Sequence, residues 1–158
     1  MSSFIGEHSC KMDAKGRIML PVGLKKQLSP EAKQTFIATR GFDKYVSLYP
    51  LDEWKVLSAK VERLNPFVRK NQLFIRMFTS GANEVEIDAA GRILIPKILI
   101  EYAGLKADVV FSAFGNKIEI WDKDKYKDAI NLDSNDFADL AEDVMGKFGD
   151  EKDAGDVS

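Results

Sequence analysis

One phrase occurs twice in this chain, and it constrains the fold more than any other feature. Residues 13–21 read Asp13-Ala14-Lys15-Gly16-Arg17-Ile18-Met19-Leu20-Pro21, and residues 88–96 read Asp88-Ala89-Ala90-Gly91-Arg92-Ile93-Leu94-Ile95-Pro96. The offset is 75 (88 − 13), and Asp, Ala, Gly, Arg, Ile and Pro recur in register. Two copies of such a phrase mean two copies of one folding unit. Whatever the Asp…Gly-Arg turn does is therefore done at two places per chain.

The echo extends past the phrase. Leu24 falls opposite Leu99, Phe36-Ile37-Ala38 opposite Val109-Val110-Phe111, and Gly41 opposite Gly115. Val46-Ser47-Leu48-Tyr49 answers Ile118-Glu119-Ile120-Trp121, and Trp54 answers Tyr126. The offset shrinks to 72 at the last two pairs (121 − 49, 126 − 54), which predicts a shorter second turn. Each copy reads strand, tight turn, strand, proline, short helix, strand, turn, strand, acidic helix start. Glu84 and Glu86 alternate with Val85 and Ile87, the period of a half-buried strand with a solvent face. Glycine supplies a positive φ cheaply, and an Asp side chain bonds backbone N–H groups two residues on, so Asp88 to Gly91 reads as a turn. Ile18–Leu20 and Ile93–Ile95 are apolar at every position, which predicts burial on both faces, by fold or by partner. Pro21 and Pro96 suit the first turn of a helix, and Gly104 suits the end of one. Between the copies, a helix starts at Pro50–Trp54 and Asn65-Pro66 breaks it. Residues 67–79 read as a second helix with Phe67, Phe74 and Phe78 on one side, in the core. The predicted class is mainly β with short helices (α+β). The predicted division is a first repeat at 4–54, a helical connector at 55–80, a second repeat at 81–128, and an acidic tail at 129–158.

Composition bounds the function. At 158 residues, 45% hydrophobic and 30% charged, the chain suits one or two small cores, and units of about 75 residues are marginal alone. The N-terminus lacks a basic region followed by an apolar run, so no signal peptide is expected. No stretch approaches membrane-spanning length. The single cysteine, Cys10, rules out an internal disulfide and fits a reducing cytoplasm. The net charge of −2 hides a split: residues 133–158 carry nine acids and two bases, whereas residues 1–80 carry 14 bases and seven acids. A weakly basic body with an acidic tail keeps nucleic acid open as a partner. Phe137, Leu140, Val144 and Phe148 stand at helical spacing in that tail, and Gly149 to Ser158 is polar enough to be disordered.

Asp13 and Arg17 are four apart across a tight turn, as are Asp88 and Arg92. Each pair either fixes a hairpin corner by a charge-assisted bond or also aims an arginine fork at phosphate or a base edge. Lys11, Lys15, Lys25 and Lys26 surround the first turn in sequence, while Ala90 replaces Lys15 in the second. If one repeat dominates contact with nucleic acid, it is the first. His8 and Cys10 alternate on one strand, but two ligands without another His or Cys make a poor zinc site, so no metal or other cofactor is expected. Glycine-rich phosphate loops, Gly-x-Ser-x-Gly elbows and adjacent nucleophile–base pairs are missing from the sequence, so no enzymatic activity is expected.

At these two phrases the sequence resembles the MraZ family of bacterial regulators, which carry two SpoVT/AbrB-type modules in tandem. The resemblance covers about residues 4–130. It includes Gly6-Glu7-His8, Thr39-Arg40-Gly41-Phe42-Asp43, Leu48-Tyr49-Pro50-Leu51-x-x-Trp54, Phe78-x-Ser80-Gly81-Ala82 and Glu101-Tyr102-Ala103-Gly104-Leu105, besides the phrases themselves. It implies two swapped-hairpin-like β-barrel units related by pseudo-two-fold symmetry, assembling into a ring. It also implies a cytoplasmic, nucleoid-associated protein that binds double-stranded DNA at repeated short sites upstream of the division and cell-wall gene cluster. Carried over by position, Lys11, Asp13, Lys15, Gly16, Arg17 and Lys25 are the DNA surface, with Arg92 its second-repeat counterpart. Neither a membrane nor a small-molecule substrate is expected. The rival reading is an AbrB-type antitoxin that binds DNA and a toxin partner.

Overall fold

The computed structural model describes residues 1–146. Phe148 and the polar stretch from Gly149 to Ser158 lie outside the described residues. Among those described, eight strands and six α-helices follow one another. They are β1 (Phe4–Lys11), β2 (Arg17–Met19), α1 (Val22–Gln27), β3 (Thr35–Arg40), β4 (Val46–Pro50), α2 (Leu51–Glu62), α3 (Arg69–Thr79), β5 (Asn83–Glu86), β6 (Arg92–Leu94), α4 (Lys97–Ala103), β7 (Asp108–Gly115), β8 (Lys117–Asp122), α5 (Lys123–Ala129) and α6 (Ser134–Met145). The chain divides into a body, Met1–Tyr126, and a C-terminal unit that begins at Lys127.

The repeats do not fold side by side as separate barrels. Their strands interleave in one antiparallel six-stranded sheet of order β1-β7-β8-β4-β3-β5, and β2 pairs β6 in a two-stranded ribbon. The first strand of each repeat lies beside the third strand of the other, as β1–β7 and β3–β5. The fourth strands meet as β4–β8. Exchanging the two repeats leaves the strand order unchanged, read from the other edge.

No closed barrel exists among the described residues, a correction to the predicted barrel units. The hairpins β3–β4 and β7–β8 join edge to edge across the repeats instead of curling back on themselves. The class is also mixed rather than mainly β, because the connector folds into α2 and α3 and the tail supplies α6.

The core draws on both repeats. Phe4, Ile18, Leu24, Phe36 and Leu48 pack in one cluster with Ile93, Leu99, Phe111, Ile118 and Ile120. A unit of about 75 residues buries too little apolar surface to stand alone, and sharing one core removes that difficulty. Pro21, Pro50 and Pro96 sit at the N-caps of α1, α2 and α4, just before the first helical residue. Gly104 ends α4. The β7–β8 turn is the shorter of the equivalent pair, with Phe114 opposite Lys117, in line with the shrinking offset. The Gln27 side chain covers part of the β1 edge: its carbonyl accepts from the Ile5 N–H at 2.8 Å and its amide donates to the Ile5 carbonyl at 3.2 Å.

Two of the three phenylalanines expected in the core are exposed. Phe67 is 91% exposed and precedes α3, and Phe74 is 38% exposed on α3. The Asn65 side chain accepts from the Phe67 N–H at 3.0 Å, and this turn delays the helix to Arg69. Phe78 is buried as expected, stacking on Trp54 with ring centres 5.5 Å apart. The fold itself buries one face of the ribbon strands: Ile18 and Ile93 face the core, whereas Met19 and Leu94 are exposed in the single chain. In the C-terminal unit, α6 is capped by Asp133, whose side chain accepts from the Asp136 N–H at 2.8 Å. Its Phe137, Leu140 and Val144 are exposed.

Candidate nucleic-acid interface

Each Asp-x-x-Gly-Arg phrase closes a hairpin in the same way. Asp13 Oδ1 accepts from the backbone N–H of Lys15 and of Arg17, both at 2.9 Å, and Oδ2 accepts from Arg17 Nε at 2.9 Å. Asp88 repeats the pattern with Ala90 N–H at 2.9 Å, Arg92 N–H at 2.8 Å and Arg92 Nε at 3.0 Å. The backbone closes behind them: Gly16 N–H donates to the Asp13 carbonyl and Gly91 N–H to that of Asp88, each at 3.0 Å. Gly16 and Gly91 take φ of +89° and +84°, which explains the glycine at that point of the phrase.

Three donors on one carboxylate favour its charged form. The Arg17 backbone N–H, the largest cause, holds the Asp13 carboxyl below the usual carboxylate range, and the Arg92 backbone N–H does the same for Asp88. The corner-fixing role of the Asp–Arg pair is therefore realised at both turns. Each arginine spends Nε on this bond, while its side chain keeps about a third of its surface exposed, 34% for Arg17 and 38% for Arg92.

The ribbon then brings the two turns together. Arg17 lies opposite Leu94 and Met19 opposite Arg92, with Ile18 opposite Ile93 between them. Alternation along a strand sends the middle pair inward and places Arg17, Met19, Arg92 and Leu94 on one outer face. The ladder continues into the turns: Leu20 N–H donates to the Gly91 carbonyl at 3.0 Å, and Ile95 N–H to the Gly16 carbonyl at 2.9 Å. Each turn is thus built into a strand of the other repeat.

The remaining sequence-selected residues are distributed unequally. Lys15 is exposed beside Arg17 and takes part in none of the ion pairs among the described residues. Gly16 is buried, so it shapes the turn from beneath rather than presenting a surface. Lys11 is exposed at the end of β1 and pairs with Asp108 of the second repeat. Lys25 is exposed in the last turn of α1, on a separate element. Cys10 is half-buried and packs against the core, and burial pushes its thiol up. Groups of three or more His, Cys, Asp or Glu able to hold a metal are lacking among the described residues. Among the same residues, no helix is long and apolar enough to cross a membrane.

Sequence reasoning missed Met19 and Leu94 as members of the arginine face. Period-two counting from Arg17 and Arg92 carries the signal, but it becomes readable only once β2 and β6 are known to pair. Chemically, the outer face combines two arginine forks with two apolar side chains on a ribbon two strands wide. The major groove of B-DNA, about 12 Å wide, admits an element of that width.

The family model described as "MraZ protein, putative antitoxin-like" matches residues 3–76 and again residues 77–148. A "Transcriptional regulator MraZ" from Christiangramia forsetii is 50% identical over 147 residues, covering 92% of this chain and 95% of that protein. The protein of the same name from Flavobacterium psychrophilum is 48% identical over 153 residues, covering 96% of this chain and 98% of its own. One from Cytophaga hutchinsonii is 42% identical over 142 residues, covering 90% and 94%. With both repeats matched and relatives this similar along most of its length, the chain belongs to the MraZ family.

Proposed function

We propose that this protein is a DNA-binding transcriptional regulator without catalytic activity, and that the β2–β6 ribbon is its reading head. One observation carries the reading: strand pairing between repeats puts Arg17 and Arg92 on a single exposed face of a single ribbon. The names of the relatives support the same function. Lys15 adds a phosphate contact at the first turn, and Lys11 and Lys25 extend the positive surface beyond it. Asp13 and Gly16 act by holding the turn in shape. The repeats, at 4–54 and 81–128, are units of sequence that share one core, with 55–80 as connector and 129–158 as tail.

The protein works as a ring on the nucleoid, at repeated short sites upstream of the division and cell-wall gene cluster. Two exposed apolar clusters, one to either side of Lys117, suit a contact between subunits. One is Phe42 stacked on Phe74, and the other is the cross-strand pair Ile5 and Phe114, 71% and 80% exposed. A contact of heterologous type closes into a ring when the rotation permits. A ring presents several ribbons at once, so weak contacts to repeated sites add through effective concentration.

Footprinting on the DNA upstream of its own gene tests the reading. The wild type protects repeated short sites, and a Lys15→Ala, Arg17→Ala double variant, folded by circular dichroism, loses that protection. A folded double variant that protects the same sites equally well would remove the reading head. Light scattering after size exclusion tests the ring, which a monomer mass at micromolar concentration would defeat.

A further inference from the structure

We infer that Met19 and Leu94 are the specificity-determining residues of the ribbon, each meeting the C5-methyl group of a thymine in the major groove. The inference rests on the DNA-binding reading above and adds a second source of sequence discrimination beside the two arginine forks. Arginine and lysine contacts to phosphate position a protein but carry no sequence information. In the major groove, the thymine methyl is the apolar feature that marks its base pair, and apolar side chains read it.

Three observations select these two side chains. They are 53% and 55% exposed on a short ribbon whose intervening residues, Ile18 and Ile93, are 0% and 1% exposed. A polar residue would cost nothing on such a face, so two equivalent apolar positions there call for a use. Each also stands directly opposite an arginine, Met19 across from Arg92 and Leu94 across from Arg17. Opposed side chains on paired strands lie about 5 Å apart at Cβ, so a base edge reached by the arginine is within reach of the apolar neighbour. Finally, both side chains lie against a glycine turn. Met19 Sδ lies 3.4 Å from where a Cβ on Gly91 would be, and Leu94 Cδ1 lies 3.8 Å from the same point on Gly16. Each leans on the turn of the other repeat, beside the arginine it faces across the ribbon.

Leaning on a turn also suits a strut that merely braces it, and the experiment must separate the two roles. The full-length protein is used to select a preferred duplex from a random-sequence library. Each thymine of that duplex is then replaced singly by deoxyuridine, which removes only the methyl. Dissociation constants are measured for wild type, Met19→Ala and Leu94→Ala, with Met19→Gln and Leu94→Gln as variants that keep the length leaning on the turn. For wild type, at least one thymine per side chain should show about fourfold weaker binding as deoxyuridine, the factor for burying one methyl-sized group. That penalty should vanish in the matching variant and persist in the other. Variants that weaken thymine and deoxyuridine duplexes equally would make Met19 and Leu94 struts and overturn the inference, as would a wild type indifferent to every replacement. Both results leave DNA binding intact. Failure to bind any duplex would instead remove the DNA-binding reading itself, and this inference with it.

Discussion

The two turns are alike in their hydrogen bonds and unlike in what packs beneath them. Their carboxylates accept the same three hydrogen bonds within 0.1 Å of each other. What lies beneath them differs. A Cβ on Gly16 would stand 2.8 Å from Ile100 Cδ1 and 3.2 Å from the Ile95 carbonyl oxygen, whereas one on Gly91 would meet only Met19 Sδ, at 3.4 Å. The repeat offset explains the contrast: Ile100 of α4 answers Lys25 of α1 (100 − 75 = 25). Where the second repeat sends an apolar side chain under the first turn, the first repeat has a lysine in the equivalent place. The turn that carries Lys15 is therefore seated on the core, and the turn that carries Ala90 is open underneath. Duplication preserved the local hydrogen-bond geometry, while divergence of the elements packed against it left one turn closely backed and basic and the other open underneath and neutral.

The largest test of this contrast is on stability. Gly16→Ala incurs both positive-φ strain and crowding against Ile100 and backbone, and should lose about 2–4 kcal/mol in urea denaturation. Gly91→Ala incurs the φ strain with a flexible methionine as neighbour, and should lose about 1–2 kcal/mol. Equal losses would mean that the seat under the first turn contributes nothing.

A smaller effect concerns charge. Lys15→Ala should flatten the dependence of log affinity on log salt by about one unit, and Ala90→Lys should steepen it by about one. If Ala90→Lys leaves the slope unchanged, the second turn does not reach phosphate, and the two turns differ in position on DNA as well as in composition.

The smallest effect tests the likeness rather than the difference. Asp13 and Asp88 both have lowered carboxyl pKa in the folded state. The unfolded chain then binds those protons more readily, so their stabilisation is present above the ordinary Asp value of about 3.9 and is lost as pH falls through the lowered value. Melting curves between about pH 6 and pH 2 should show this loss, and Asp13→Asn and Asp88→Asn should each flatten it to a similar degree. A flattening by only one of the two would break the equivalence of the turns.

Much of the local structure was legible from residue types. The Asp…Gly-Arg corners, the solvent face of Glu84 and Glu86, the helix starts after Pro21 and Pro96 and the stop at Gly104 each follow from a preference that acts within a few residues. The seats of Gly16 and Gly91 were not legible, because Ile100 and Met19 reach them across the repeat boundary. Phe67 was misread because the Asn65 turn overrides the helical spacing of the phenylalanines.

The sequence by itself determined that there are two copies of one unit, how each corner is made, and which family the motifs resemble. Only the tertiary structure decided that the copies share a single open sheet, that β2 meets β6, and that Arg17, Met19, Arg92 and Leu94 emerge on one face. The reason is physical. Capping, turn chemistry and periodicity depend on neighbours along the chain, whereas strand pairing and register depend on which distant apolar faces can be buried together. Ile18 and Ile93 turn inward because a core built from both repeats lies beneath them, and that inward turn sends the side chains on either side of them outward.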